Sequence, residues 1–66
     1  MNLILTFIKR NFDGIHDVTV NINGKDYTYH LKYRQDVDLF NKYYNRGYKG
    51  KALNVLRKNN VKEADE

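Results

Sequence analysis

Residues 16–31 read HDVTVNINGKDYTYHL, and this stretch decides the fold. Asn23-Gly24 separates two runs in which apolar and polar residues alternate, and this dipeptide favours a two-residue type I′ turn because both positions tolerate positive φ. Such a turn pairs Val20 with Tyr27 and leaves one face almost wholly apolar. A slip of one residue would mix the apolar and polar sets. We therefore predict an antiparallel hairpin with one buried face.

The rest of the chain adds a strand and two helices to this hairpin. Residues 3–8 are apolar without clean alternation, which predicts a third strand and leaves a short helix as the alternative. Asp36 is the predicted N-cap of a first helix that ends at Arg46, with Gly47 at the C′ position. A second helix is predicted over about residues 50–60.

The predicted fold class is therefore α+β. It consists of a three-stranded antiparallel β-meander followed by two helices packed on one face, in the order β-β-β-α-α, because the helices alone can bury the apolar face of the sheet. Four tyrosines follow the apolar periodicity and are predicted as core residues. They are Tyr27, Tyr29, Tyr43 and Tyr44.

The chain length of 66 residues predicts one small domain over residues 1–62, with residues 63–66 as a frayed acidic tail. With no cysteine and only two histidines, the sequence predicts neither a disulfide nor a metal site, and it indicates no cofactor. Stability must then come from packing, and homodimerisation is a second route that the sequence leaves open. The short apolar start fits neither a secretion signal nor a membrane span, so a cytoplasmic protein without a membrane partner is expected.

The positive charge is concentrated in one half of the chain. The formal net charge is +4, yet residues 1–31 are neutral. Residues 32–62 carry nine Lys and Arg against two Asp, a sum of +7, and residues 63–66 carry −3. This asymmetry favours a surface directed at an anionic partner.

Residues 45–51 read NRGYKGK and join the two predicted helices. The helix–Gly-x-x-Gly–helix pattern is similar to the backbone clamp of KH domains, in which glycines let the backbone approach phosphates. Lysine and arginine side chains add charge, and a tyrosine ring can stack on a base. The alternative is a capping glycine followed by a flexible turn. The predicted nucleic-acid-binding residues are Arg46, Gly47, Tyr48, Lys49, Gly50, Lys51, Arg57 and Lys58.

One further pair has catalytic residue types. The predicted register places Asp17 opposite His30 on the polar face of the hairpin, where a carboxylate can orient an imidazole. Only Thr19 and Thr28 are near as nucleophiles, and an open sheet face makes a poor pocket. We therefore interpret the pair as a surface ion pair and predict that the protein is not an enzyme.

Residues 18–54 resemble the KTSC domain, a small domain named from a C-terminal region of lysyl-tRNA synthetases. The likeness rests on a strand that ends in Asn-Gly, on Tyr27-x-Tyr29, on an aromatic helix and on the run GKALN at residues 50–54. The chain lacks the serine-containing start of that family and the proline before its helix. The resemblance implies the order of strands and helices more than a function, and the function that it implies is RNA binding.

These observations lead to two hypotheses. The first is a small non-catalytic module that binds nucleic acid, RNA or single strands in preference to duplex DNA, through the basic Gly-x-x-Gly turn. The second is a small protein-interaction module, an inhibitor or adaptor of the kind that phages and mobile elements encode.

Overall fold

Three strands and two helices follow one another in the computed structural model, which describes residues 2–61. The sheet has the strand order β1-β2-β3, and both neighbouring pairs are antiparallel. The predicted β-β-β-α-α fold is therefore confirmed, whereas the predicted acidic tail lies outside the described residues. The elements are β1 (Leu3–Arg10), β2 (His16–Ile22), β3 (Lys25–Leu31), α1 (Arg34–Asn45) and α2 (Lys49–Asn59).

The β2–β3 hairpin has the predicted register. Val20 pairs with Tyr27, and His30 lies opposite Asp17. The turn residues Asn23 and Gly24 have φ angles of 53° and 92°, as a type I′ turn requires. The turn chemistry and the period of two therefore agree, which is why this part of the fold can be read from local sequence alone.

Strand β1 contains an irregularity that explains its uneven pattern. Its register against β2 shifts between Leu5 and Phe7, so that the residue between them has no partner on β2. Because of this bulge, Leu3, Leu5 and Ile8 all lie on the side of the sheet that packs against the core. Residues 3–8 are thus part of a strand, and the helical alternative is wrong.

The core lies between the sheet and the two helices. Phe40 of α1 and Leu56 of α2 are fully buried against the central strand residues Val18 and Val20. Each such side chain contributes roughly 1.5–3 kcal/mol when removed from water. The buried apolar residues are Leu3, Val18, Val20, Leu31, Val37, Phe40, Ala52, Leu53, Val55 and Leu56.

The four tyrosines divide between core and surface. Tyr29, Tyr43 and Tyr44 pack against the core while remaining partly exposed. The prediction for Tyr27 is wrong, since its side chain is 39% exposed and its ring meets the ammonium of Lys25 at 5.9 Å. It pairs with the fully buried Val20, but it belongs to β3, an outer strand of the sheet, whereas Val20 lies in the central strand.

The hydroxyl group of Tyr44 connects the end of α1 to the outer strand. It accepts a hydrogen bond from the backbone N–H of Leu5 at 3.0 Å. On the opposite edge of the sheet, the backbone N–H of His30 donates to the side-chain oxygen of Asn60, and Val61 donates to the carbonyl of His30. Side chains and the segment after α2 therefore occupy part of both edges, which limits pairing with other strands.

The helix boundaries differ slightly from expectation. Helix α1 begins at Arg34 and not after Asp36, and its N-cap is Tyr33, which makes no side-chain capping bond. The carboxylate of Asp36 lies within the first turn, where it still favours the positive end of the helix dipole. Helix α2 ends at Asn59 because Asn60 leaves it to bridge Leu31 of β3. No helix within residues 2–61 is long and apolar enough to cross a membrane.

Candidate nucleic-acid interface

Helices α1 and α2 meet at a tight corner formed by residues 46–48. Gly47 has a φ of 82°, a left-handed conformation that residues with a side chain rarely adopt. Its N–H donates to the carbonyl of Tyr44 at 3.1 Å, and the N–H of Tyr48 donates to the carbonyl of Tyr43 at 2.9 Å. This pair of bonds is a Schellman motif, so the prediction of Gly47 at C′ is confirmed.

Gly50 does not belong to the turn between the helices. It is the second residue of α2, so the predicted Gly-x-x-Gly turn consists of a turn glycine and a helix glycine. The reason is that the Schellman motif completes the reversal by Tyr48, and the next helix begins at once. A Cβ atom added at Gly50 would meet no atom within 4 Å, so the surface above this first helical turn is open.

The first turn of α2 is suited to anions. Its N-cap, Tyr48, provides no side-chain hydrogen bond, and the turn contains no acidic residue. The first N–H groups of a helix have no partner within the helix and lie at the positive end of its dipole. The side chains of Lys49 and Lys51 add two cations to this end.

The cations at this corner have no carboxylate partner among the residues that the structure describes. Within residues 2–61, the two ion pairs join His30 to Asp17 and Arg34 to Asp38, and neither involves Arg46, Lys49 or Lys51. Arg46 and Lys51 are exposed, whereas Lys49 is half-buried. The three charges are therefore available to an external anion. We call residues 46–51 the basic corner.

Two tyrosine rings hold the ammonium group of Lys51. Its Nζ atom lies 5.4 Å from the ring centroid of Tyr48 and 5.8 Å from that of Tyr43. The two rings are 6.3 Å apart and inclined by 49°. Tyr48 remains 51% exposed, so part of its ring is available for stacking. Tyr43, which the sequence predicts as a core residue, is also partly exposed, and its position one turn before Gly47 places it beside the corner.

The structure separates the eight predicted residues into two groups. Arg57 and Lys58 lie in the last turn of α2, at least six residues after Lys51 and thus roughly 9 Å along the helix axis. They are at the end of α2 where Asn60 bridges Leu31, away from the basic corner. Lys58 lies on the same side of α2 as Lys51. The side chain of Arg57 is turned away from that of Lys58 by about 100° around the helix axis.

The Asp17–His30 pair has the predicted geometry. The imidazole Nδ1 and the carboxylate Oδ1 are 2.6 Å apart, and the two side chains are 23–24% exposed. The neighbouring hydroxyl groups of Thr19 and Thr28 bond each other at 3.0 Å. The two hydroxyl groups thus engage each other in the hairpin, and the prediction that the protein is not an enzyme stays a prediction.

We expect His30→Ala to lower the free energy of unfolding by about 1–2 kcal/mol, because a partly buried bond to a charged group is lost. The pair would then act in stability alone. Chemical denaturation of the variant and the wild type measures the difference. Loss of biological activity in a well-folded variant would contradict a purely structural role and favour a catalytic one.

No protein-family model, curated protein or solved structure matches this chain. The likeness to the KTSC domain therefore stays a prediction, and the geometry of the surface is the basis for the proposed function.

Proposed function

We propose that this protein is a small non-catalytic module of the cytoplasm that binds RNA or single-stranded DNA at its basic corner. The observation that carries this proposal is the group of cations around the exposed ring of Tyr48 that form no ion pair with any other residue in the range 2–61. Lysine and arginine neutralise phosphates, and an aromatic ring stacks on any base, so this combination fits a single strand.

The distribution of acidic groups supports the same conclusion. The two acidic residues between positions 32 and 61 are Asp36 and Asp38, and both lie near the start of α1. The basic corner is at the other end of α1. Asp38 is also neutralised in part by Arg34, at 3.9 Å. A nucleic-acid backbone that approaches the corner therefore meets positive charge without a nearby acid on either helix.

A salt titration measures how many cations meet phosphates. For single strands, the log–log slope of affinity against salt is about −0.7 per phosphate contact. Contact by all five predicted cations would give a slope of about −3 to −4. Contact by the three cations of the basic corner alone would give a slope of about −2. We expect wild-type protein to bind a labelled oligouridine with a slope in this range, measured by fluorescence anisotropy.

Single substitutions separate charge from stacking. Lys49→Ala and Lys51→Ala should each weaken binding and flatten the slope by somewhat under one unit. Tyr48→Ala should cost about 1–3 kcal/mol while the slope hardly changes, because stacking releases no counterions. Arg34→Ala is the matched control, since it removes a cation that already faces Asp38. The proposal fails if the wild type binds no tested strand more tightly than about 100 µM at physiological salt.

A protein partner is the second candidate, and exposed apolar side chains favour it. Ile4 and Phe7 lie on the face of the sheet that the helices leave open, and Phe12 is fully exposed in the turn after β1. Exposed apolar groups of this size are typical of sites for protein partners, including a second copy of the chain. An inhibitor or adaptor that binds through this face would be insensitive to substitutions at the basic corner.

A further inference from the structure

A groove between α1 and α2 continues from the basic corner along the helices. Its volume is about 390 Å³, at the small end of the range for ligand sites, which is about 300–1,000 Å³. Leu39 and Tyr43 line it from α1, and Val55 lines it from α2. These three side chains give the groove an apolar part, which opens onto solvent beside the ammonium of Lys51.

Two lysines stand along this groove on the α2 side. Lys51 and Lys58 both line it, and their separation of seven residues places them roughly 10 Å apart along the helix axis. Asn54 lies between them and offers both a hydrogen-bond donor and an acceptor. Along the groove, a cation, an amide and a second cation follow one another beside apolar side chains. This order matches that of a nucleoside in a strand, whose base lies between two flanking phosphates.

We infer that the groove holds one nucleotide of a bound single strand, with its base against Tyr43 and Asn54 and its flanking phosphates at Lys51 and Lys58. This inference rests on the proposed function and assigns to the same ligand a second part of its site. It adds Tyr43 and Asn54 to the interface. It also retains Lys58 among the predicted contacts while it excludes Arg57, which does not line the groove.

The tyrosine pair prepares Lys51 for this contact. The ammonium already lies over the rings of Tyr43 and Tyr48, so less side-chain freedom is lost when a phosphate binds. At the other end, Asp36 also lines the groove, and its carboxylate can accept a hydrogen bond from a base amine or a ribose hydroxyl.

The neighbouring residues Arg57 and Lys58 provide a matched test. Both are exposed cations in the last turn of α2, and they differ in whether they line the groove. We expect Lys58→Ala to weaken binding of a labelled oligouridine severalfold and to flatten the salt slope by about 0.7. Arg57→Ala should leave both quantities close to the wild type. Equal effects of the two substitutions would overturn the inference.

A second test examines the base. An oligonucleotide with the same number of phosphates and abasic positions throughout should bind about fivefold or more weakly, since a stacked base contributes about 1–3 kcal/mol. Tyr43→Phe should retain affinity, whereas Tyr43→Leu should lose it at unchanged helix content by circular dichroism. Asn54→Ala, on an exposed site, should weaken binding of the normal strand and not of the abasic one.

The outcomes separate this inference from the proposed function. If corner substitutions weaken binding while Lys58→Ala and Asn54→Ala do not, the groove assignment is wrong and the basic corner remains. If the wild type binds neither strand, both conclusions fall. Binding of an acidic peptide such as oligoglutamate, without binding of any strand, would also overturn both and would favour a protein partner.

Discussion

We expect Val20→Asp to leave the chain unfolded. Val20 lies in the central strand between Leu5 and Tyr27, and its side chain has no exposed area. Burial of a carboxylate without a partner costs several kcal/mol, whereas a whole domain is stable by only about 5–15 kcal/mol. The substitution therefore removes most or all of the stability of so small a domain. Far-UV circular dichroism and chemical denaturation will show the result.

Ile4→Asp is the control for this prediction. It also replaces a β-branched residue of the sheet by aspartate, but Ile4 is 47% exposed on the face that the helices do not cover. The charge there remains hydrated, so the variant should fold with a loss of about 1 kcal/mol. A cooperative unfolding transition in Val20→Asp, or equal effects at the two positions, would contradict the assignment of the covered face.

The largest expected effect on binding comes from reversal of two charges at the basic corner. Lys49→Glu/Lys51→Glu changes the formal net charge from +4 to zero. It places two carboxylates where phosphates would bind, and we expect affinity for oligouridine to fall at least 100-fold at low salt, with a slope near zero. Folding should survive, because acidic residues in the first turn of a helix favour its positive end.

The matched control reverses two charges elsewhere. Arg10→Glu/Lys32→Glu produces the same net charge, and both residues are exposed at the ends of strands β1 and β3. Affinity measured by anisotropy should then fall much less than in the corner variant. Equal losses in the two double variants would mean that net charge alone attracts the strand, and the basic corner would not be the binding site.

Local sequence is sufficient for the hairpin and for the end of α1. Asn23-Gly24 selects one turn type, and the alternation on both sides selects the same register, so no distant contact is needed to choose between alternatives. Gly47 similarly stops α1, because it adopts the left-handed conformation that closes the Schellman motif. In both cases a backbone preference and an apolar pattern point to the same structure.

The structure of the irregular strand β1 could not be predicted without the rest of the fold. Nothing within residues 3–8 by themselves distinguishes a bulged strand from a short helix. The apolar side chains of Leu3, Leu5 and Ile8 share one face only because β2 provides a register that the bulge can shift. The free energy that selects this arrangement is the burial of these side chains against the helices, and it exists only in the assembled domain.

The candidate site, too, was predicted from the sequence only in part. Charge and residue type identified the basic corner, because its cations, its glycines and Tyr48 can be read along the chain. Packing of α1 against α2 decided that Lys58 shares a groove with Lys51, and that Tyr43 contacts the ammonium of Lys51. A helical residue meets the ligand or the solvent according to where its helix is docked, and only tertiary contacts between α1, α2 and the sheet determine that orientation.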